Sequence, residues 1–293
     1  EANEALFKLA RRFFHGKGEK RTRIIAFHNA FHGRTMGALS MTGTPKYREG
    51  FGQVEGVVHV EYGDLEATQK AMGPDVAAII VEAVQGEGGV LPPPAGFLAG
   101  LRTLCDQQGS LLLFDEVQTG IGRLGKWFGF QGTGATPDAI SLAKGLGGGV
   151  PIGAMLTTER LATALPPGTH GSTFGGNPLA SAAARAVLRI VEEEKLVEGA
   201  KTKGAKLASM LNEVARELPK ICEGERGEGL LRGLVLHKGY VVRDILPKLA
   251  DAGVLLTAAG ERVLRFSPPL VVTEPELAEG VAAVRKVLGT LAT

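Results

Sequence analysis

Cysteine is scarce: Cys105 and Cys222 are the only two in 293 residues, far apart and without C-x-x-C or Cys/His ligand spacing. That pattern excludes a disulfide scaffold and a zinc site, so no metal and a reducing, cytoplasmic setting are expected. An excess of one charge is also lacking. Lys and Arg number 33 against 31 Asp and Glu, with no basic block, so no nucleic-acid partner is expected. Long apolar runs are missing too, since "VAAIIVEAV" is interrupted by Glu82, and no signal-peptide pattern opens the chain. No membrane partner is expected, and the substrates should be small molecules. The chain begins without Met or an N-cap residue and is already helical, with Leu6, Leu9, Ala10 and Phe13 at i, i+3, i+4 and i+7. The expectation is a chain whose N-terminal portion is missing.

What is present is a hydrophobic content of 44% and a length that suits about two domains. "TRIIAFHNAFHG", "GVVHVEYG", "VAAIIVEAV", "SLLLFDEVQ", "DAISLAKG" and "PIGAMLTT" are short apolar runs ending in polar or glycine residues, with helical stretches between some of them. The pattern predicts an α/β fold, a mostly parallel sheet flanked by helices, over residues 1–192. A long helical stretch from about 177 and shorter strand-like pieces predict a smaller C-terminal α+β domain over 193–293. Ligands of such sheets bind beyond the carboxyl ends of the strands.

Two strand ends carry the chemistry. Asp115 follows "SLLLF" and Lys144 follows "DAISLA". A buried amine, unprotonated so that it can form a Schiff base, with a carboxylate to hold a pyridine nitrogen, is what a pyridoxal-phosphate site requires. A structural ion pair would use the same two residues. The glycines of "GLGGGVPIG" fit either a flexible turn or close backbone approach to a cofactor. "GIGRLGKW" satisfies the P-loop spacing G-x-x-x-x-G-K, but Trp127 stands where a Mg²⁺-binding Ser or Thr belongs, and the segment does not link a strand directly to a helix.

"FHGRTMGALSMTG", "VQGEGGV", "FDEVQTGIGRLGKWF", "SLAKGLGGGVPIGAM" and "HGSTFGGNPLA", in that order, resemble the class III pyridoxal-phosphate aminotransferases of fold type I, and among them the acetylornithine type. The likeness runs over nearly the whole chain. It implies pyridoxal 5'-phosphate as cofactor, with Lys144 as the Schiff-base lysine, Asp115 on the pyridine nitrogen, Gln118 at the phenolic oxygen and Phe31 on the ring face. Ser172 and Thr173 would reach the cofactor phosphate of the other subunit, so the resemblance implies a homodimer with shared sites. Arg34 would grip the substrate α-carboxylate. Glu87 and Arg265 match a pair whose opening admits the second carboxylate of 2-oxoglutarate. The implied reaction moves the terminal amino group of N²-acetylornithine to 2-oxoglutarate in arginine biosynthesis. Succinylornithine, succinyl-diaminopimelate, ornithine and 4-aminobutyrate remain as alternative amines. Other readings are a P-loop nucleotide hydrolase and an inactive dimerisation partner. By the same resemblance Glu1, Ala2 and Asn3 are the remnant of a phosphate loop, and His32 is structural because the lysine does the proton transfer.

Overall fold

The apolar runs become strands in the computed structural model, which describes residues 1–291. β1 (Arg23–Phe27), β2 (Val57–Val60), β3 (Val76–Glu82), β4 (Leu111–Asp115), β5 (Ala139–Leu142) and β6 (Ala154–Thr157) form one sheet in the order β2-β1-β3-β4-β5-β6. The first five are parallel and β6 runs antiparallel to β5. Every residue of β3, β4 and β5 is buried, which is why those strands read as continuous apolar runs rather than alternating ones.

Side chains alternate between the two faces, and each face has its own helix. Ile24, Ala26, Ala78, Ile80, Leu111, Leu113 and Ala139 pack with Leu6, Leu9, Ala10 and Phe13 of the helix Ala2–Gly16. On the opposite face Phe27 meets Phe97 of the helix Phe97–Gln108, ring centroids 5.5 Å apart. The register then places Glu82 beside Asp115 and Asp115 beside Ser141, one row at the carboxyl edge. By alternation that row lies on the face covered by Ala2–Gly16.

A second sheet comprises β7 (Cys222–Glu228), β8 (Leu231–Leu236), β9 (Thr257–Ala259) and β10 (Val263–Phe266), antiparallel throughout in the order β7-β8-β10-β9. Leu234, Leu236, Leu264 and Phe266 pack with Leu207, Leu211, Leu249, Val281 and Val284 from the helices Leu196–Glu217, Val242–Asp251 and Glu274–Gly289.

The chain divides into two compact units, but not at a single point. The first is Glu1–Ala83, Pro93–Gly120 and Phe128–Arg189; the second is Val84–Pro92, Ile121–Trp127 and everything from Ile190. A contiguous division at 192/193 therefore misses two short segments that group with the C-terminal sheet. The long helical stretch from 177 is also two helices, Pro178–Glu193 and Leu196–Glu217, broken where Lys195 turns left-handed with φ of 52°. No helix among the described residues is long and apolar enough to cross a membrane.

Candidate active site

Asp115 ends β4, where its carboxylate is 4% exposed and therefore needs partners. Oδ2 accepts hydrogen bonds from Asn3 Nδ2 at 2.7 Å and meets His32 Nδ1 at 2.8 Å, while Oδ1 accepts from the Val117 amide at 3.0 Å. Ser141 Oγ lies 3.4 Å from Oδ1, but it donates its one proton to Asn3 Oδ1 at 2.6 Å. Oδ1 thus keeps an acceptor position open toward any donor at the strand edge. Asn3 also donates to the His32 carbonyl, and Thr42 Oγ1 accepts from the His32 amide, so His32 is fixed at backbone and ring.

His32 is fully enclosed. Burial pushes its pKa down, but the hydrogen bond and charge of Asp115, with the charge of Glu82 behind them, outweigh burial and leave it raised. The imidazolium form is thereby favoured, with Nδ1–H donating to Asp115; Nε2 is buried without a partner among the described residues. His32, read from the sequence as structural, is thus part of the Asp115 cluster. Asn3, expected in a phosphate loop, directs its side chain to Asp115. Neither link was visible beforehand, because the partners lie 83 and 112 residues away.

Glu82, next in the row, accepts from the Phe31 amide at 3.0 Å. Phe31 is half-buried and stands edge-on to Tyr47, ring centroids 5.8 Å apart. The exposed guanidinium of Arg34 lies 4.4 Å from the Tyr47 centroid and 5.3 Å from that of Phe31. It makes no ion pair among the described residues. Glu4 orders the stretch after it, accepting from Thr35 Oγ1 at 2.6 Å and the Ala38 amide at 2.9 Å.

Lys144 begins the short turn Lys144–Gly147 directly beyond β5, three residues past Ser141. Its side chain is exposed rather than buried, contrary to the buried lysine that the site chemistry suggested. The turn leaves the sheet edge and carries the side chain away from the core. Its φ of 38° is left-handed, a conformation that costs a lysine about 1–3 kcal/mol and is found where a site imposes it. The amine has no hydrogen bond or ion pair among the described residues. Gln118, three residues past Asp115, has a buried amide oxygen with no partner among the described residues.

Other expected residues belong to other parts of the chain. Ser172 and Thr173 lie in a fully exposed stretch, and no contact among the described residues joins them to Asp115 or Lys144. Glu87 and Arg265 belong to the second unit, where Arg265 Nη1 donates to Glu87 at 2.6 Å and Arg265 Nε to Thr257 Oγ1 at 3.0 Å. The P-loop-like segment is not an open phosphate cradle. Lys126 is paired with Glu228 at 2.6 Å, and the Arg123 carbonyl accepts from the Leu230 amide at 2.9 Å. Cys105 and Cys222 are buried thiols, pushed by burial up to about 12 and about 11. Among the described residues no three His, Cys, Asp or Glu could hold a metal.

Comparison with known proteins identifies the family. The family described as aminotransferase class-III matches residues 1–288. An acetylornithine aminotransferase of Myxococcus xanthus is 51% identical over 94% of this chain and 69% of its own length. A succinylornithine transaminase/acetylornithine aminotransferase of Pseudomonas aeruginosa is 44% identical, covering 99% of this chain and 72% of that protein. Among solved structures, the ornithine aminotransferase of Toxoplasma gondii aligns with a TM-score of 0.93 at 35% identity, over 99% of this chain and 71% of that one. With a mostly parallel sheet that ends in the Glu82, Asp115 and Ser141 row and, just beyond it, a lysine without a partner among the described residues, this chain belongs to the class-III aminotransferases and has their fold type I architecture.

Proposed function

We propose that the protein transfers the terminal amino group of N²-acetylornithine to 2-oxoglutarate, giving N-acetylglutamate 5-semialdehyde and glutamate, with pyridoxal 5'-phosphate as cofactor. The observation that carries this reading is the open acceptor position on Asp115 beside a strand end from which Lys144 extends unpaired. The residues present fit that cofactor. A protonated pyridine nitrogen suits the open Oδ1, and the orphaned amide of Gln118 suits the phenolic oxygen once its oxygen and nitrogen exchange by a half-turn. When bound, the cofactor supplies the electron sink that takes up the charge left on the substrate carbon.

The chain's own residues do the rest. Asp115 keeps the ring nitrogen protonated, and Asn3 and His32 hold the carboxylate still while the charged His32 balances it. Lys144 would hold the cofactor through its amine and, with that amine free, would move a proton at the substrate carbon bearing the transferred nitrogen. Phe31, fixed through Glu82, would cover the ring. Arg34 offers unpaired donors in a planar fork to a substrate carboxylate. Glu87 shields Arg265 while the amino donor is bound, and releases it to the second carboxylate of 2-oxoglutarate. Ser172 and Thr173, exposed and unengaged, suit a partner subunit's cofactor phosphate in a cytoplasmic homodimer. Succinylornithine is the second reading for the amine, supported by the double name of the Pseudomonas aeruginosa relative.

The test is to mix the protein with pyridoxal 5'-phosphate, reduce with borohydride and locate the adduct by peptide mass. An adduct on Lys144, lost in Lys144→Ala together with turnover, is the expected result. Normal turnover in Lys144→Ala overturns the mechanism. Comparing kcat/KM for N²-acetylornithine and succinylornithine decides the amine.

A further inference from the structure

Four residues stand in one row across the second sheet. Arg226 on β7 faces Gly233 on β8, Gly233 faces Arg265 on β10, and Arg265 faces Thr257 on β9. Cross-strand partners share a face. That face is the reverse of the one on which Leu234 and Leu264 meet the helices. The segment Val84–Pro92 crosses it as a tight hairpin, closed by reciprocal bonds between Gln85 and Leu91 of 3.0 and 2.9 Å.

The hairpin touches the row at three points. Glu87 accepts from Arg265 Nη1 at 2.6 Å, and the Gly89 carbonyl accepts from Arg226 Nε at 2.8 Å. Val90, fully buried with φ of 51°, sits on Gly233, where an added Cβ would come 3.1 Å from the Val90 Cβ. These holds differ in kind. The Glu87–Arg265 contact joins two side chains that can part without moving backbone, whereas Arg226 grips the main chain. Arg226 has no carboxylate partner among the described residues, and burial lowers its pKa. Its guanidinium is partly withdrawn from water, and its hydrogen bond among the described residues goes to one carbonyl on the hairpin.

We infer that Arg226 is a positioning residue for acceptor recognition, pinning the hairpin so that only the Glu87 side chain swings when Arg265 is released to a substrate carboxylate. The inference rests on the proposed roles of Glu87 and Arg265. Glu87 competes with the substrate for Arg265 as a tethered carboxylate, and its effective concentration depends on how firmly the tether is held. Loosening the hairpin lowers that concentration. Arg265 then stands uncovered, which favours 2-oxoglutarate and penalises the donor, whose reaction needs the cation shielded.

The experiment uses the full holoenzyme and follows each half-reaction separately in single turnover. Arg226→Ala is expected to raise the ratio of kcat/KM for 2-oxoglutarate to that for the amino donor about tenfold, the scale of one hydrogen bond to a charged group. Arg226→Lys, which keeps the charge and a donor, should restore much of the ratio. In parallel, hydrogen exchange of the cofactor-free protein should quicken at the amides of Gly86–Leu91 in Arg226→Ala and stay unchanged in β3 and β4. If Arg226→Ala does not fold, Gly233→Ala, whose Cβ would press on Val263 Cγ1 at 2.7 Å and on Val90 of the hairpin at 3.1 Å, should move the same ratio in the same direction. Unchanged hairpin exchange, or faster exchange with both half-reactions slowed equally, overturns the proposal while the aminotransferase reading stands. A folded wild-type protein that forms no adduct at Lys144 overturns both.

Discussion

Ser141 has one proton and gives it to Asn3, and that small fact leaves Asp115 with an acceptor position for the cofactor. Asp115→Asn keeps the shape but cannot hold a ring nitrogen in its protonated state. It should still give the borohydride-trapped adduct on Lys144 while losing about a hundred- to thousandfold in kcat, read by steady-state kinetics. Two histidines make opposite pH predictions for the cofactor-free protein. The raised pKa of His32 means its stabilisation is complete below about pH 6.5, the unfolded value, and is lost as pH rises through the folded value. Urea midpoints should show the advantage of wild type over His32→Asn shrinking above neutral pH; a pH-independent difference would mean that His32 is not charged. His59 is pushed down to about 4, by burial and then by the charge of Arg48, so its contribution is present above about pH 6.5 and lost as pH falls toward 4. Lys144, Asp115 and Gln118 can be singled out from the sequence because each lies within a contiguous motif. Asn3 and His32 cannot, because only the fold brings them to Asp115.

At the scale of elements, β1 to β6 could be read from their apolar runs, since buried parallel strands leave that mark. β7 could not. Its sequence, CEGERGE, has no apolar alternation, and as an edge strand it pairs only with β8. Its place depends on a close approach that sequence periodicity does not report. Gly204 lies within the helix Leu196–Glu217, where glycine ordinarily costs about 1 kcal/mol relative to alanine. A Cβ there would stand 2.2 Å from the Gly229 carbonyl oxygen and 2.7 Å from its Cα, at the turn between β7 and β8. The obstacle is backbone, which cannot rotate aside. Gly204→Ala should therefore destabilise the protein by about 1–3 kcal/mol in urea denaturation instead of stabilising it. A stabilised variant would show that the helix and turn are not in contact in solution.

At the scale of the whole molecule, the sequence reveals two bodies but not how the chain is shared between them. Segments 84–92 and 121–127 join the second unit through bonds to β7 and β10, and no shift in composition marks them. Assembly is harder still to read from one chain, yet the surface carries a signal. On the helix Pro178–Glu193, Leu179 is 74% exposed and falls in one stripe with the half-buried Ala183 and Ala186, while Phe174 nearby in sequence is 79% exposed. Soluble monomers rarely leave such apolar groups together in water, and small residues along a helix let a second backbone come close. Ser172 and Thr173 lie just before this stripe, so a second copy docked there would cover the stretch proposed to serve its cofactor phosphate. Leu179→Glu places a charge in the middle of that surface. Sedimentation should then find wild type dimeric and the variant dissociating at about tenfold higher concentration or more, with weakened cofactor affinity that recovers as protein concentration rises. Because the proposed phosphate contacts come from the partner, the loss of affinity should follow the monomer fraction. A wild-type monomer that binds cofactor tightly and turns over at full rate would place the whole site within one chain and leave Ser172 and Thr173 without their proposed role.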